Sequence, residues 1–167
     1  MTTPDLPSKI ERIRFEGREQ ARDIVLELAL LAKKQICIFG QNIDHILFDT
    51  QEFVECISTL ARKSHRVQIK IIAHSTQVNI QNGHRLIELK RRLSSSIHIR
   101  KTDREHRDLQ QTLLLIDDFA YLLCPRATRY EGTASHYDRL EVREQQSLFN
   151  KLWDLATPDL NVRELRI

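Results

Sequence analysis

Residues 110–125 read QQTLLLIDDFAYLLCP, and this stretch decides the fold. Two apolar runs, Leu113–Ile116 and Phe119–Cys124, flank the pair Asp117-Asp118, and Pro125 follows the second run. Short apolar runs separated by turn residues are typical of a β-hairpin. The earlier run Gln35–Gly40 (QICIFG) is apolar on both faces, which is typical of a strand in the centre of a sheet. We therefore predict a sheet built around this strand and the hairpin.

Outward from the hairpin, helical and strand periodicities alternate along the chain. Asp49 with Glu52 has the spacing of a capping box, which predicts a helix start. Strands that alternate with helices imply parallel crossover connections. The sequence thus predicts an α/β fold: a mixed, mostly parallel sheet with helices on both faces. The predicted helices lie at about 18–34, 49–64, 84–93 and 136–156, and the further strands at 66–74 and 97–100.

Composition limits the classes of function. The chain has 167 residues, of which 41% are hydrophobic and 29% charged, enough for one full core. We expect a mobile lead-in over 1–14 and a single domain over 15–167. The formal net charge of +3 is weaker than that of most dedicated nucleic-acid binders. The four glycines lie far apart, which excludes the glycine-rich loops that bind dinucleotides and nucleoside phosphates.

The cysteine pattern and hydropathy predict a cytoplasmic protein. Cys37, Cys56 and Cys124 are isolated in sequence and lack metal-ligand spacing, so we expect buried, reduced thiols and no metal site. No apolar run approaches the ~20 residues of a membrane span. The N-terminus lacks the pattern of a signal peptide. We expect neither a membrane association nor a cofactor.

The order of elements resembles one half of a phospholipase D-type enzyme. In that superfamily each half carries His-x-Lys-x4-Asp on a strand that enters a hairpin, followed by a Gly-Ser pair. Alignment on Asp117 places the histidine at Gln110, the lysine at Thr112 and the Gly-Ser pair at Cys124-Pro125. The resemblance covers about residues 17–156 and implies a phospholipase D-like half in which only the aspartate of the motif survives.

The departures from the motif bear on catalysis. In the superfamily the histidine attacks phosphorus, which requires a basic imidazole, and an amide such as Gln110 is not a useful nucleophile. The lysine helps to neutralise developing charge on the phosphate, and Thr112 has no charge to offer. When catalytic groups act as a unit, an enzyme that has lost two of them keeps little of its reaction rate. We therefore predict a pseudoenzyme without phospholipase D chemistry.

Several segments are similar to bacterial domains of unknown function with this layout, some of them fused to an acetyltransferase-like domain. The similar segments are 83–86, 89–92, 117–118 with 121–123, and 129–132. This resemblance implies no established activity. It does suggest a fused acetyltransferase-like domain or another protein partner. Because two halves pack together in the superfamily and this chain supplies one, we also expect a homodimer.

Six residues are candidates for binding an anion. Two start a predicted helix, one ends a strand where α/β sheets place ligands, and three follow the hairpin. For each there is a simpler role in local contacts, and we expect Asp117 to cap the hairpin turn. The six candidates are His74, His84, Arg85, Arg126, Arg129 and Tyr130.

The preferred hypothesis is a non-catalytic module that binds a partner protein or an anionic ligand. One alternative is a hydrolase or transferase with a rebuilt site, which requires His74, His84, Asp117 and Arg129 to converge on one cleft. A second alternative is a weak nucleic-acid binder that uses the basic segment 85–101. That segment has six cations against one acid but no interleaved aromatic residues, so we expect a solvated face and consider nucleic acid an unlikely ligand.

Overall fold

An eight-stranded mixed sheet forms the centre of the computed structural model, which describes residues 11–163. Its strands are β1 (Ile13–Glu16), β2 (Gln35–Gly40), β3 (Gln68–Ala73), β4 (Ile97–Lys101), β5 (Thr112–Ile116), β6 (Ala120–Cys124), β7 (Glu131–Ser135) and β8 (Thr157–Pro158). Their order across the sheet is β1-β7-β6-β5-β2-β3-β4-β8. Both strands of the hairpin and the central strand coincide with the predicted runs.

The helices connect these strands. They are α1 (Arg18–Ala29), α2 (His45–Phe48), α3 (Gln51–Lys63), α4 (Gln77–Gln81), α5 (Arg85–Arg92), α6 (Arg139–Leu155) and α7 (Leu160–Arg163). Single 3₁₀ turns occur at Arg104–His106 and Ala127–Arg129. Within residues 11–163, none of these helices combines the length and the hydropathy that crossing a bilayer requires.

Strand pairing confirms a mixed sheet but limits its parallel part to the centre. β2 pairs in parallel with β3, and β3 with β4. β5 runs antiparallel to β2, with Ile38 opposite Leu114, and the hairpin and β7 continue antiparallel. The expectation of a mostly parallel sheet is therefore too strong, because two of the seven described pairings are parallel.

Helices cover both faces of the sheet, as predicted. Alternation along β2 sends Ile36 and Ile38 to a first face, where α1, α3 and α5 pack. Cys37 and Phe39 point to a second face, which α6 covers with residues such as Phe149. Since both faces of β2 are buried, its unbroken apolar run is explained.

Three strands and one cap depart from the prediction, and one of these strands is the two-residue β8. β1 begins at Ile13, inside the span assigned to the lead-in, and residues 1–10 lie outside the described part of the chain. Its partner β7 has the sequence EGTAS, whose apolar alternation is too weak to detect, and Phe15 lies opposite Gly132. Helix α3 is capped by Thr50, whose Oγ1 accepts from the N–H of Phe53, rather than by Asp49.

Candidate functional site

The two ends of the central strands define two edges of the sheet. At one edge, β2, β3 and β4 reach their carboxyl ends and the antiparallel β5 begins at Thr112. We call this the remnant edge, because it holds Gln110 and Thr112, which the resemblance aligns with the motif's histidine and lysine. Asp117 follows the other end of β5, about 17 Å away at the rise of an extended strand. We call that end the opposite edge.

Asp117 anchors the start of β2. Its carboxylate accepts hydrogen bonds from the backbone N–H groups of Lys33 and Lys34, both at 2.9 Å, and of Gln35 at 2.8 Å. Asp117 adopts the left-handed conformation with φ 48°, which aspartate tolerates better than most residues. Asp117 thus connects the hairpin to the chain before β2, instead of capping its own turn as expected.

A small cleft opens at the remnant edge beside Thr112. Its volume is about 160 Å³. Thr112 is almost fully buried at 3% exposure, whereas His45 is exposed. The cleft is bounded by the segment after β2 and by the loop between β6 and β7. It is lined by Gln41, Asn42, Asp44, His45, Thr112, Ala127, Thr128 and Tyr130.

Tyr130 and Asp44 join the two walls of this cleft. The Tyr130 hydroxyl donates to Asp44 Oδ2 at 2.7 Å, while Asp44 Oδ1 accepts from the N–H groups of Ile46 and Leu47 at the start of α2. Burial, and then the neighbouring Asp44 carboxylate, raise the pKa of Tyr130 well above its ordinary value. The phenol therefore stays a neutral donor, and Asp44 already holds three hydrogen bonds.

Backbone geometry explains the sequence Arg129-Tyr130-Glu131-Gly132. Tyr130 is left-handed with φ 50°, which turns the chain from the 3₁₀ turn into β7. Gly132 lies so close to the carbonyl of Leu123 that a Cβ atom has no room there. The N–H of Ala127 donates to the Gln110 carbonyl at 2.8 Å. These contacts hold the β6–β7 loop against the remnant motif.

His74 is fully engaged at the remnant edge. Its Nε2 lies 2.7 Å from the Leu109 carbonyl and its Nδ1 lies 2.8 Å from Thr102 Oγ1. A carbonyl can only accept, so Nε2 carries the proton and Nδ1 accepts from the hydroxyl. His74 thereby connects the end of β4 to the chain that enters β5, and neither ring nitrogen remains for a ligand.

His84 is sealed inside the protein with a side-chain exposure of 1%. Its Nδ1 accepts from the N–H of Leu86 at 3.2 Å, which makes it the N-cap of α5. Its Nε2 has no hydrogen-bond partner among the described residues. Burial lowers the pKa of His84, although Asp49, 3.9 Å from Nδ1, opposes this shift. The neutral ring serves as a cap rather than as an accessible acid or base.

The three arginines lie at the surface. Arg85 is tied to Asp49, whose Oδ1 accepts from its N–H at 3.0 Å and whose carbonyl accepts from Nη1 at 3.1 Å. Arg126 precedes the 3₁₀ turn beside the cleft, and Arg129 is the last residue of that turn and lies 3.8 Å from Glu131. Of the six predicted residues, Tyr130 therefore lines the cleft, and Arg126 and Arg129 lie in the loop that forms one wall.

Sequence reasoning missed the other wall. Gln41, Asn42, Asp44 and His45 follow the carboxyl end of β2, the position where open α/β sheets place ligands. That rule was available from the predicted central strand. It applied to the segment after β2 as well as to His74 at the end of β3.

The two alternative constellations do not assemble. Asp117 lies at the opposite edge from His74, so the rebuilt set of His74, His84, Asp117 and Arg129 is divided between two ends of the sheet. The basic segment 85–101 is divided between two faces. Its helix α5 packs on the first face, whereas Arg100 lies on the second face, 4.1 Å above the Trp153 ring.

Comparison with solved structures shows a phospholipase D-like fold. Nuc from Salmonella typhimurium, a phospholipase D family member, aligns with a TM-score of 0.62 and 11% identity over 90% of this chain and 99% of its own. The archaeal chromatin protein TrmBL2, described as having a novel mode of DNA binding, gives 0.65 and 14% over 93% of this chain. Phosphatidylserine synthase from Haemophilus influenzae Rd KW20 gives 0.60 and 16% over 95% of this chain.

The lengths of these neighbours differ. This chain spans 56% of TrmBL2 and 41% of the synthase. At the level of sequence, no curated protein matches the chain. The model of a domain of unknown function (DUF7931) matches residues 17–165.

Proposed function

The chain belongs to this DUF7931 family of unknown function, and we propose that it is a non-catalytic phospholipase D-like domain that binds a small anion at the remnant edge. The observation that carries the proposal is the cleft beside Thr112. It lies where the resemblance places the superfamily motif, and its lining holds amides, hydroxyls, Asp44 and His45 rather than the motif's histidine and lysine. Amides and hydroxyls donate hydrogen bonds to a phosphate or carboxylate without transferring it.

The contacts at this edge supply no replacement for the missing pair. His74 has both ring nitrogens in hydrogen bonds, and His84 is buried with a lowered pKa. His45 is the imidazole that lines the cleft, but no lysine or arginine is among the lining residues. A lone imidazole lacks the cation that stabilises charge on a transferring phosphoryl group.

The dimensions and donors of the cleft suit one small anionic group. A volume of about 160 Å³ corresponds to roughly five water molecules at the share that a water takes in the liquid. Amide and hydroxyl donors come from Gln41, Asn42 and Thr128. The Tyr130 hydroxyl neutralises part of the Asp44 charge, and Arg126 and Arg129 add positive charge in the adjacent loop.

Titration calorimetry with inorganic phosphate tests binding. The wild-type protein should bind, and the double variant Arg126→Ala/Arg129→Ala should bind markedly more weakly. A matched variant, Arg14→Ala/Arg22→Ala, removes two exposed cations that do not line the cleft and should bind phosphate as the wild type does. Equal loss in both double variants would show that general charge, not the cleft, attracts the anion.

A chromogenic phosphodiester tests the absence of catalysis. We expect no turnover above the rate without protein, because position 110 is an amide and position 112 a hydroxyl. Turnover that disappears in Gln110→Ala or in His45→Ala would refute the proposal in favour of a rebuilt enzyme.

The oligomeric state is a separate proposal. The chain supplies one phospholipase D-like half, and a two-fold dimer is the commonest closed way to pair identical halves. Light scattering at micromolar concentration should then give about twice the chain mass of 19.7 kDa. A mass near that of one chain would show that the dimer does not form. A fused acetyltransferase-like domain or another protein partner stays a prediction.

A further inference from the structure

A larger groove lies at the opposite edge of the sheet. Two adjoining cavities, of about 480 Å³ and about 530 Å³, share Gln35, Asp117, Asp118 and Arg139 and therefore form one continuous groove. We call it the basic groove. Its cations come from the α1–β2 connection, the chain before β3 and the start of α6. They are Lys33, Lys34, Arg66, Arg139 and Arg143.

Charge in this groove is unbalanced. Of its two carboxylates, Asp117 is satisfied by three backbone N–H groups, and Asp118 lies 2.7 Å from Arg139. The other four cations are exposed and have no carboxylate partner among residues 11–163. Cations that outnumber the carboxylates of a groove attract an external anion.

An aromatic pair and a chain of amides lie beside these cations. Phe119 lines the groove and stacks on Tyr137, with ring centroids 6.3 Å apart and planes 22° apart. Both rings are partly exposed. On the other wall, Gln35 donates to Gln146 at 3.4 Å, and Gln146 donates to Asn150 at 2.9 Å. Partly exposed aromatic rings next to a cationic groove are a combination that binds unpaired bases.

We propose that the basic groove binds single-stranded nucleic acid through its phosphates, with Phe119 as a stacking surface. The cations come from three separate segments along an open groove, which suits a polymer better than one small ligand that needs enclosure. The Phe119 ring offers a surface on which a base can stack, and binding of an acidic peptide does not require such a surface. The site lies at the end of the sheet opposite the anion cleft and is independent of it.

Fluorescence anisotropy with a labelled oligothymidylate of about 15 nucleotides tests this assignment. Each phosphate contact to a single strand contributes a salt slope of about 0.7, so Lys33→Ala/Lys34→Ala should weaken binding by about 25-fold at ~0.1 M salt. The slope should fall by about 1.4. Alanine keeps the N–H groups that Asp117 binds, so the fold is preserved. The matched variant Arg14→Ala/Arg22→Ala, which removes two exposed cations that line neither the basic groove nor the anion cleft, should bind as the wild type does.

A second variant tests the stacking surface. Phe119→Leu keeps an apolar side chain but removes the ring, and should weaken binding by at least about 5-fold with little change in salt slope. Thermal unfolding of each variant verifies that it is folded. The proposal is overturned by absent binding at low salt, by duplex DNA binding as tightly as the single strand, or by equal loss in the Arg14/Arg22 variant. Equal competition from thymidine monophosphate or from polyglutamate would overturn it as well.

Discussion

The two edges of the sheet differ in how their polar groups are used. At the remnant edge, Tyr130 is bonded to Asp44 and His74 to Thr102 and Leu109, which leaves a cleft of about 160 Å³. At the opposite edge, four cations have no carboxylate partner within the described residues, and the two cavities there are each about three times larger. At the strand ends that usually carry ligands, the polar side chains of this protein are more fully engaged in hydrogen bonds within the protein.

The contrast shows that the place where the fold gathers its strand ends and the place where the chain gathers unpaired charge are separate properties. The rule that ligands bind outside the carboxyl ends of parallel strands follows from topology. The placement of unpaired charge depends on which loops and helix ends carry lysine and arginine. In this chain α1, α3 and α6 all have a terminus near the opposite edge, and cations lie at or beside those termini. The following substitutions test the division between the edges.

The largest expected effect comes from the strand that joins both edges. Ile38 is 1% exposed in the middle of β2, between α1 and α3 on the first face. Ile38→Ala should cost about 2–5 kcal/mol of unfolding free energy, through lost burial and the cavity left behind. Denaturant unfolding measures this cost. A midpoint close to that of the wild type would mean that β2 is not the central strand.

Asp117 should matter for stability and not for the anion cleft. Asp117→Ala removes the acceptor of three backbone N–H groups, and because water can reach some of them we expect a loss of about 2–4 kcal/mol. Asp117→Asn keeps one carbonyl acceptor and tolerates the left-handed backbone, so it should cost less. Phosphate affinity of the folded variants should equal that of the wild type. Weaker phosphate binding by folded Asp117→Asn would show that the two edges are not independent.

Tyr130→Phe tests the remnant edge by itself. The variant loses one 2.7 Å hydrogen bond to a carboxylate, at a cost of about 1–2 kcal/mol in unfolding free energy. It also frees Asp44 Oδ2 to repel an anion, so phosphate affinity should fall while oligonucleotide affinity is unchanged. Calorimetry and anisotropy measure the two ligands. If phosphate bound more tightly to Tyr130→Phe, the assigned role of the tyrosine would be wrong.

The smallest effect concerns acid stability through His84. Because burial lowers its folded pKa below the ordinary 6.5, the unfolded chain binds more protons there, and stability falls as the pH drops through 6.5. His84→Asn keeps a cap acceptor for Leu86 but does not titrate. The melting temperature of this variant should decline less between pH 7.5 and pH 5.5 than that of the wild type. An equal decline would assign the acid sensitivity to other groups.

The misses of the sequence analysis have physical causes. The strand β7 is short and contains Gly132, so its apolar alternation is weak, and its pairing with β1 depends on contacts more than 100 residues apart along the chain. Asp49 and Thr50 are both good cap residues, and the choice between them follows from α2, which ends at Phe48. Hydrophobic periodicity within a short window of sequence indicates neither a long-range strand pairing nor which of two adjacent residues caps a helix.

The sequence by itself determined the central strand and the hairpin, and it places an amide and a hydroxyl where the resemblance expects the histidine and lysine. Each depends on residues close together in the chain: the apolar run 35–40, the turn between two apolar runs, and the spacing from Gln110 and Thr112 to Asp117. Only the tertiary structure decided that Asp117 anchors the chain before β2, and that Lys33, Arg66 and Arg143 line one groove. Along the chain, Lys33 lies 33 positions from Arg66 and 84 positions from Asp117. Packing of the sheet and α6, not a local sequence pattern, brings such residues together.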